Sequence, residues 1–443
     1  MSRRVLLLLL VLACVAFAGS AVAADAPAPG ADTADIPAAL TLDDAVRMFH
    51  ARGFDLLLAD AAVARSEGDV LAAGAVNNPT ANVAAGPSFN YTPRPGCVGC
   101  QGLSLGWGLT DNGALMDVLV GKRGLRKSTA EAALAAAHMD RKDAERVLDA
   151  QVKQSYVQVA VAKAAIDFSK EVQAALTQTL ELNRKRYPGV ITEGELARTE
   201  VQKLSADQDV DRALLGARQA QLALALLLGA RGTVPDFEVD RVWLKLQVPA
   251  ALATATEATL FAQALATRPD ARAITFRREA ADEALRLARR QRVPDIALSL
   301  QYSQLGTGRD AAQPPTLMFG LSMNLPVFYQ QQGEIQRATA DVTSQIVQGQ
   351  RVIAQIANDV TTAFTAFVAT RTLLARLEGS VLARAKLARD VVDTQYKAGS
   401  ATLMDFLDAQ RTYIATNQDY LQALSDYWSA VFQLEQAVGT ELK

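Results

Sequence analysis

The sequence predicts a mixed fold of two like units, each with a short hairpin of membrane-type strands and a pair of very long helices. Three observations predict it. Landmark residues recur at a near-constant offset of about 210 positions, the mark of one unit written twice. Hydrophobic spacing switches from a helical period to strict alternation once in each half. Helix-breaking residues are nearly absent from two long stretches between the alternating segments and their turn glycines.

The duplication is read from Tyr187-Pro188-Gly189-Val190-Ile191-Thr192, which is echoed by Tyr396-Lys397-Ala398-Gly399-Ser400-Ala401-Thr402. Gly189 and Gly399 are 210 positions apart, as are Gly229 and Gly439. Gly121 precedes Gly333 by 212 and Pro79 precedes Pro294 by 215. The expected division is a signal peptide at 1–23, a first unit at 24–229, a mixed segment at 230–258 and a second unit at 259–443. Each unit is expected to open with one helix, Leu42 to Ala75 and Leu260 to Arg292, ended by Pro79 and Pro294.

Strand hairpins are expected at 80–118 and 295–327. In the first, Ala81, Val83, Ala85, Phe89 and Tyr91 alternate with small or polar residues, and Leu103, Leu105, Trp107 and Leu109 do so in the partner strand. The second repeats the design with Leu298, Leu300 and Tyr302, then Leu317, Phe319, Leu321 and Met323. Such alternation also fits a half-buried soluble sheet. Aromatics near the ends of the apolar face, opposite a face without charge, favour lipid outside and water inside. Each strand approaches the ten residues of a tilted span. Four strands cannot close a barrel, and open edges are not viable in lipid, so the barrel needs further copies of the chain.

Lys122 to Arg186 and Glu334 to Lys397 read as helices of unusual length, the first with an apolar seam through Leu148, Val152, Tyr156, Val159 and Ile166. Both turn at tips near 187–195 and 396–408 and return to Gly229 and Gly439. Aromatics make up 6% of the 443 residues, and alanine is abundant, which suits close helix packing.

A net charge of −2 argues against a nucleic-acid partner. Arg3 and Arg4, the apolar run Val5 to Phe17 and Ala21-Val22-Ala23 form a secretory signal with cleavage between Ala23 and Ala24. Beyond it no apolar run reaches the roughly 18 residues of a membrane helix. Cys97 and Cys100, flanked by Pro95, Gly96 and Gly99, are expected to form a small structural disulfide in an exported loop. His50 and His138 read as isolated helix-surface residues. No H-E-x-x-H, phosphate loop or G-x-S-x-G occurs, so neither enzyme activity nor a cofactor or metal is expected.

Two copies of helix, strand hairpin, long helix, glycine turn and return helix resemble the TolC family of outer-membrane channel proteins. The resemblance spans Leu40 to Leu442 and is most specific over Tyr396 to Ala409. Gly121-Lys122-Arg123 is similar to the heavy-metal-efflux branch. The resemblance implies a homotrimer whose twelve strands, four per chain, form one β-barrel in the lipid of the Gram-negative outer membrane. A long periplasmic α-helical coiled-coil barrel continues it and tapers at the glycine turns. It further implies a periplasmic adaptor and an inner-membrane transporter of the RND type, with the channel conducting passively.

Asp405 and Asp408, three apart on one helical face, match the acidic rings that line the periplasmic entrance in that family. Glu195 falls where the family often has an Asp tied to an Arg after the second glycine. That position is Ala401 here, so entrance contacts would rest on Glu195 and Tyr396. Gly189, Thr192, Gly399 and Thr402 shape the tips where an adaptor would dock. The competing readings are a type I secretion duct, an envelope scaffold or adhesin, and a redox protein built on Cys97 and Cys100.

Overall fold

The computed structural model describes residues 36–87, 89, 92, 95, 96, 98, 100–307 and 314–442. The predicted signal, its cleavage point at Ala23 and Ala24, Tyr91 and Cys97 lie outside the described residues.

The first unit runs β1 (Ala39–Leu40), α1 (Leu42–Arg52), α2 (Phe54–Gly74), β2 (Thr80–Pro87), β3 (Gln101–Thr110), α3 (Ala114–Leu119), α4 (Lys122–Arg186) and α5 (Glu193–Leu227). Between the units lie β4 (Glu238–Val239), a short 3-10 turn at Arg241–Trp243 and α6 (Ala250–Ala253). The second unit runs α7 (Glu257–Thr267), α8 (Pro269–Arg290), β5 (Ile296–Thr307), β6 (Thr316–Met323), α9 (Gln332–Arg376), a π-turn at Leu377–Val381, α10 (Leu382–Ala398) and α11 (Leu403–Val438).

Four expectations are corrected. The opening helix of each unit is two helices. The first breaks at Gly53, where the Phe49 ring lies 2.4 Å from the place a Cβ would take. The second breaks at Arg268, since Pro269 can only open the next helix. The strands stop short of the predicted hairpin ends: the Asp111 carboxylate accepts from Gly113 N and Leu298 N, and α3 begins where strand was expected. The second long helix is interrupted by the π-turn around Gly379. An 18-residue window of Gln332–Ala398 is also apolar enough to span a membrane by length and composition, although little of it is buried in the chain.

β2, β3, β5 and β6 form an antiparallel sheet in that order, leaving β2 and β6 at its edges. Its register separates the two faces. Val83 pairs with Trp107, Trp107 with Tyr302 and Tyr302 with Leu317 on one side. Asn82, Gly108, Gln301 and Met318 line up on the other. On the apolar side Val83, Phe319 and Leu321 are 69, 83 and 74% exposed.

α4 is 65 residues long and touches α2, α5, α8 and α11, so it is the spine that joins the two units. The core is concentrated at a waist beside residues 230–258. One cluster holds Phe49, Tyr156, Leu224 and Phe237. Another holds Phe367, Tyr427, Trp428 and Leu434. Burial pushes the Tyr156 and Tyr427 hydroxyls up to about 12, and each donates to a waist-side carbonyl, of Leu40 and Gln247, at 2.7 Å. Trp243 lies edge-on to Trp428 at 4.7 Å and accepts its indole N–H through its carbonyl oxygen.

Arg268 is the one arginine among the buried described residues. Its guanidinium donates to Asp270, to Asp359 and to the carbonyl of Ala437, tying α8, α9 and the end of α11 together. Removing one partner of a buried ionic network leaves its counter-charges stranded. R268A is expected to cost about 3 kcal/mol, read as a lower urea midpoint at unchanged slope; an unshifted midpoint would show that the network contributes nothing.

Candidate functional site: the paired helical tips

Both helical hairpins end in the same local chemistry. After Gly189, at φ +138°, Thr192 caps α5: its hydroxyl accepts from Glu195 N, and the Glu195 carboxylate accepts from Thr192 N at 2.8 Å. After Gly399, at φ +81°, Thr402 caps α11: its hydroxyl accepts from Asp405 N, and the Asp405 carboxylate accepts from Thr402 N at 3.0 Å and Oγ1 at 2.7 Å. These reciprocal bonds satisfy backbone donors that a helix start otherwise leaves unpaired. Glycine is needed here because both tips use positive φ.

Glu195 and Asp405 are therefore the same position in the two copies. The Thr402 hydroxyl and then its amide hold the Asp405 carboxyl below its ordinary range. The Thr192 amide and then its hydroxyl do the same for Glu195. Asp408 is exposed beside Asp405, its Oδ1 3.9 Å from the Arg411 guanidinium. Leu403, Phe406, Leu407 and Gln410 fill the opposite, buried face of the same helix. The two acids thus present charge outward from a tip whose inner face is sealed.

Tyr396 faces inward. Its ring stacks on Phe406 at 5.3 Å, and its hydroxyl donates to Asn183 Oδ1 at 2.7 Å. Asn183 Nδ2 donates in turn to Thr199 Oγ1 at 2.9 Å. Arg186 lies over the Tyr396 ring and donates to the carbonyls of Tyr396 and Lys397. The two hairpins are clasped within one chain, by Tyr396 and by groups that the sequence did not single out. Asn183, Thr199 and Arg186 sit at unremarkable helical positions, and only the pairing of the tips makes them partners. Among the described residues no ion pair joins Glu195 to an arginine.

Elsewhere, Cys100 is disulfide-bonded, while Cys97 lies outside the described residues. His50 is brought to α4, with Nε2 2.7 Å from Asp149 Oδ1 and 3.8 Å from Glu145 Oε1. The i, i+4 spacing of those two acids is visible in the sequence; the histidine that meets them is 95 positions before Glu145.

Y396F is expected to leave the Asn183 and Thr199 pair without its donor. That should lower stability by about 1–2 kcal/mol, the ordinary cost of an orphaned buried acceptor. Hydrogen exchange should rise at the ends of α4 and α10 and not at the waist; uniform change would deny the clasp.

A family model described as outer membrane efflux protein matches residues 260–440. The chain is 26% identical over 275 residues to the outer membrane efflux protein BepC of Brucella suis, a match spanning 60% of this chain and 57% of BepC. It is 22% identical over 406 residues to the cobalt-zinc-cadmium resistance protein CzcC of Cupriavidus metallidurans, with 90% of each covered. The open-state structure of the Neisseria gonorrhoeae outer-membrane channel MtrE superposes with a TM-score of 0.73 at 20% identity, covering 91% of this chain and 89% of that one. The duplicated strand-and-hairpin plan and the tip motifs agree with these matches: the second unit fits the outer membrane efflux protein family, and the whole chain has the fold of its solved channels.

Proposed function

We propose that three copies of this chain form the outer-membrane duct of a tripartite efflux pump. The observation that carries the reading is the four-stranded sheet, apolar and exposed on one face, with β2 and β6 open at its edges. Water would not tolerate that face, and lipid would not tolerate those edges. Three sheets joined β6 to β2 would give a closed barrel of twelve strands, with Asn82, Gln301 and Ser303 facing its lumen.

Below the barrel, α4 and the α9–α10 pair would run as staves of a periplasmic tunnel roughly 100 Å long at 1.5 Å per residue. Val347, Ile353 and Leu387, all more than half exposed in the single chain, would be covered by neighbouring copies. The tips at Gly189, Thr192, Gly399 and Thr402 would meet the periplasmic adaptor, and through it an RND-type inner-membrane transporter. Cys97 and Cys100 would close a small loop at the extracellular end of the first hairpin.

Asp405 and Asp408 would set two stacked rings of three carboxylates at the entrance, favouring small cations over anions. Because Asp405 also caps α11, Asp408 is the cleaner test of charge. In planar bilayers D408N is expected to lower the cation-to-anion permeability ratio at least twofold, and D405N/D408N further; unchanged selectivity in both would remove these acids from the conducting path. Because Thr402 holds the Asp405 carboxyl below its ordinary range, its charge, and with it the cap and its contribution to selectivity, should be lost at a lower pH than for an unperturbed aspartate.

A further inference from the structure

The cluster at His50 is built like a metal site that the conducting role does not require. His50 stands in the last turn of α1, and Glu145 and Asp149 share one face of α4. One donor atom from each lies within 4.8 Å of the others. Bonds of about 2.0–2.1 Å to a tetrahedral ion would place donor atoms roughly 3.4 Å apart. The observed spacings, 2.7 Å for His50–Asp149 and 3.8 Å for His50–Glu145, lie on either side of that value. Shifts below 1 Å, within the reach of side-chain rotation, would bring both histidine contacts to ligating distance, and the two carboxylates stand within 4.8 Å of each other.

The surroundings favour a cation. Arg141 occupies Glu145 Oε2 and also binds Asp60, leaving Oε1 turned to His50. Lys153, one turn further along α4, is committed to Glu435 and Glu441. A cavity of about 390 Å³ opens along Glu145 and Asp149, with Lys142, Arg146 and Lys153 also on its wall, so the two carboxylates are reachable from solvent. Arg146, which lines the same cavity, is likewise held by Asp143 and the Gln436 carbonyl.

We propose that His50, Glu145 and Asp149 bind one divalent first-row transition ion per protomer, of the zinc or cobalt class, and that the ion pins α1 to α4 at the waist. One imidazole and two carboxylates are borderline donors suited to those ions rather than to magnesium, and three protein ligands leave a position for water. The site is remote in sequence from the tip acids, and its test reads binding rather than transport.

The full-length protein, purified in detergent and stripped with chelator, would be titrated with Co²⁺ alone by calorimetry and visible absorption. One Co²⁺ per chain is expected, with the intense absorption of a four- or five-coordinate ion and a raised melting temperature. H50Q and D149N should each weaken binding at least tenfold while the metal-free melting temperature stays near wild type; H138Q should bind like wild type. If a variant is unstable, E145Q supplies the same readout from the third ligand. Uptake that is absent, below one per chain, or equal in wild type and the ligand variants overturns the proposal.

Discussion

Unpaired backbone at a sheet edge is the constraint on which this structure depends. In hydrocarbon each orphaned N–H or C=O costs several kcal/mol, so in the proposed barrel β2 and β6 would have to pair with the edges of other copies. In that arrangement the helices below would not be free to collapse into a globule. They would stand beside the strands they continue, each offering apolar surface both to its own chain and to a neighbour. A window of α9 that is apolar enough for a membrane yet little buried is what such a stave looks like in isolation. The scarcity of aromatics follows too, since helices in a single curved layer pack best through alanine and other small side chains.

The waist is where the chain is most self-sufficient. Tyr427 and Trp428 of α11 donate to carbonyls of the segment between the units, and the Tyr156 hydroxyl of α4 accepts from the Asp240 amide of that segment. This converts a linker into the filling of a small core. At the tips the economy is different: one carboxylate per copy both caps a helix and projects charge. Structure and electrostatics are therefore coupled at Asp405, whereas Asp408 carries charge with no capping duty.

Features repeating over short distances were legible in the sequence. Strand alternation and turn glycines are local patterns, Thr192-x-x-Glu195 is a readable cap signature, and the offset of about 210 residues is the same local pattern written twice. What escaped was whatever needed two distant segments to meet. Gly53 looks like any interior glycine until Phe49 is seen packed against it. Tyr396 was singled out, but not Asn183, since nothing in either helix says they will face each other. His50 and Asp149 were hidden for the same reason. The π-turn was hidden differently: Gly379 is tolerated in many helices, and nothing in the spacing of Leu374 and Leu377 announces a widened turn.

That π-turn makes the two halves non-interchangeable. One extra residue in a helical turn advances everything beyond it by about 100°. α10 and its tip are therefore rotated relative to α9, while the first half runs straight through α4. A chimera with the first copy's stave in place of the second would keep every landmark glycine and still deliver its tip facing the wrong way. The gene has two copies of one plan, but the widened turn has given the second an orientation that the first does not share.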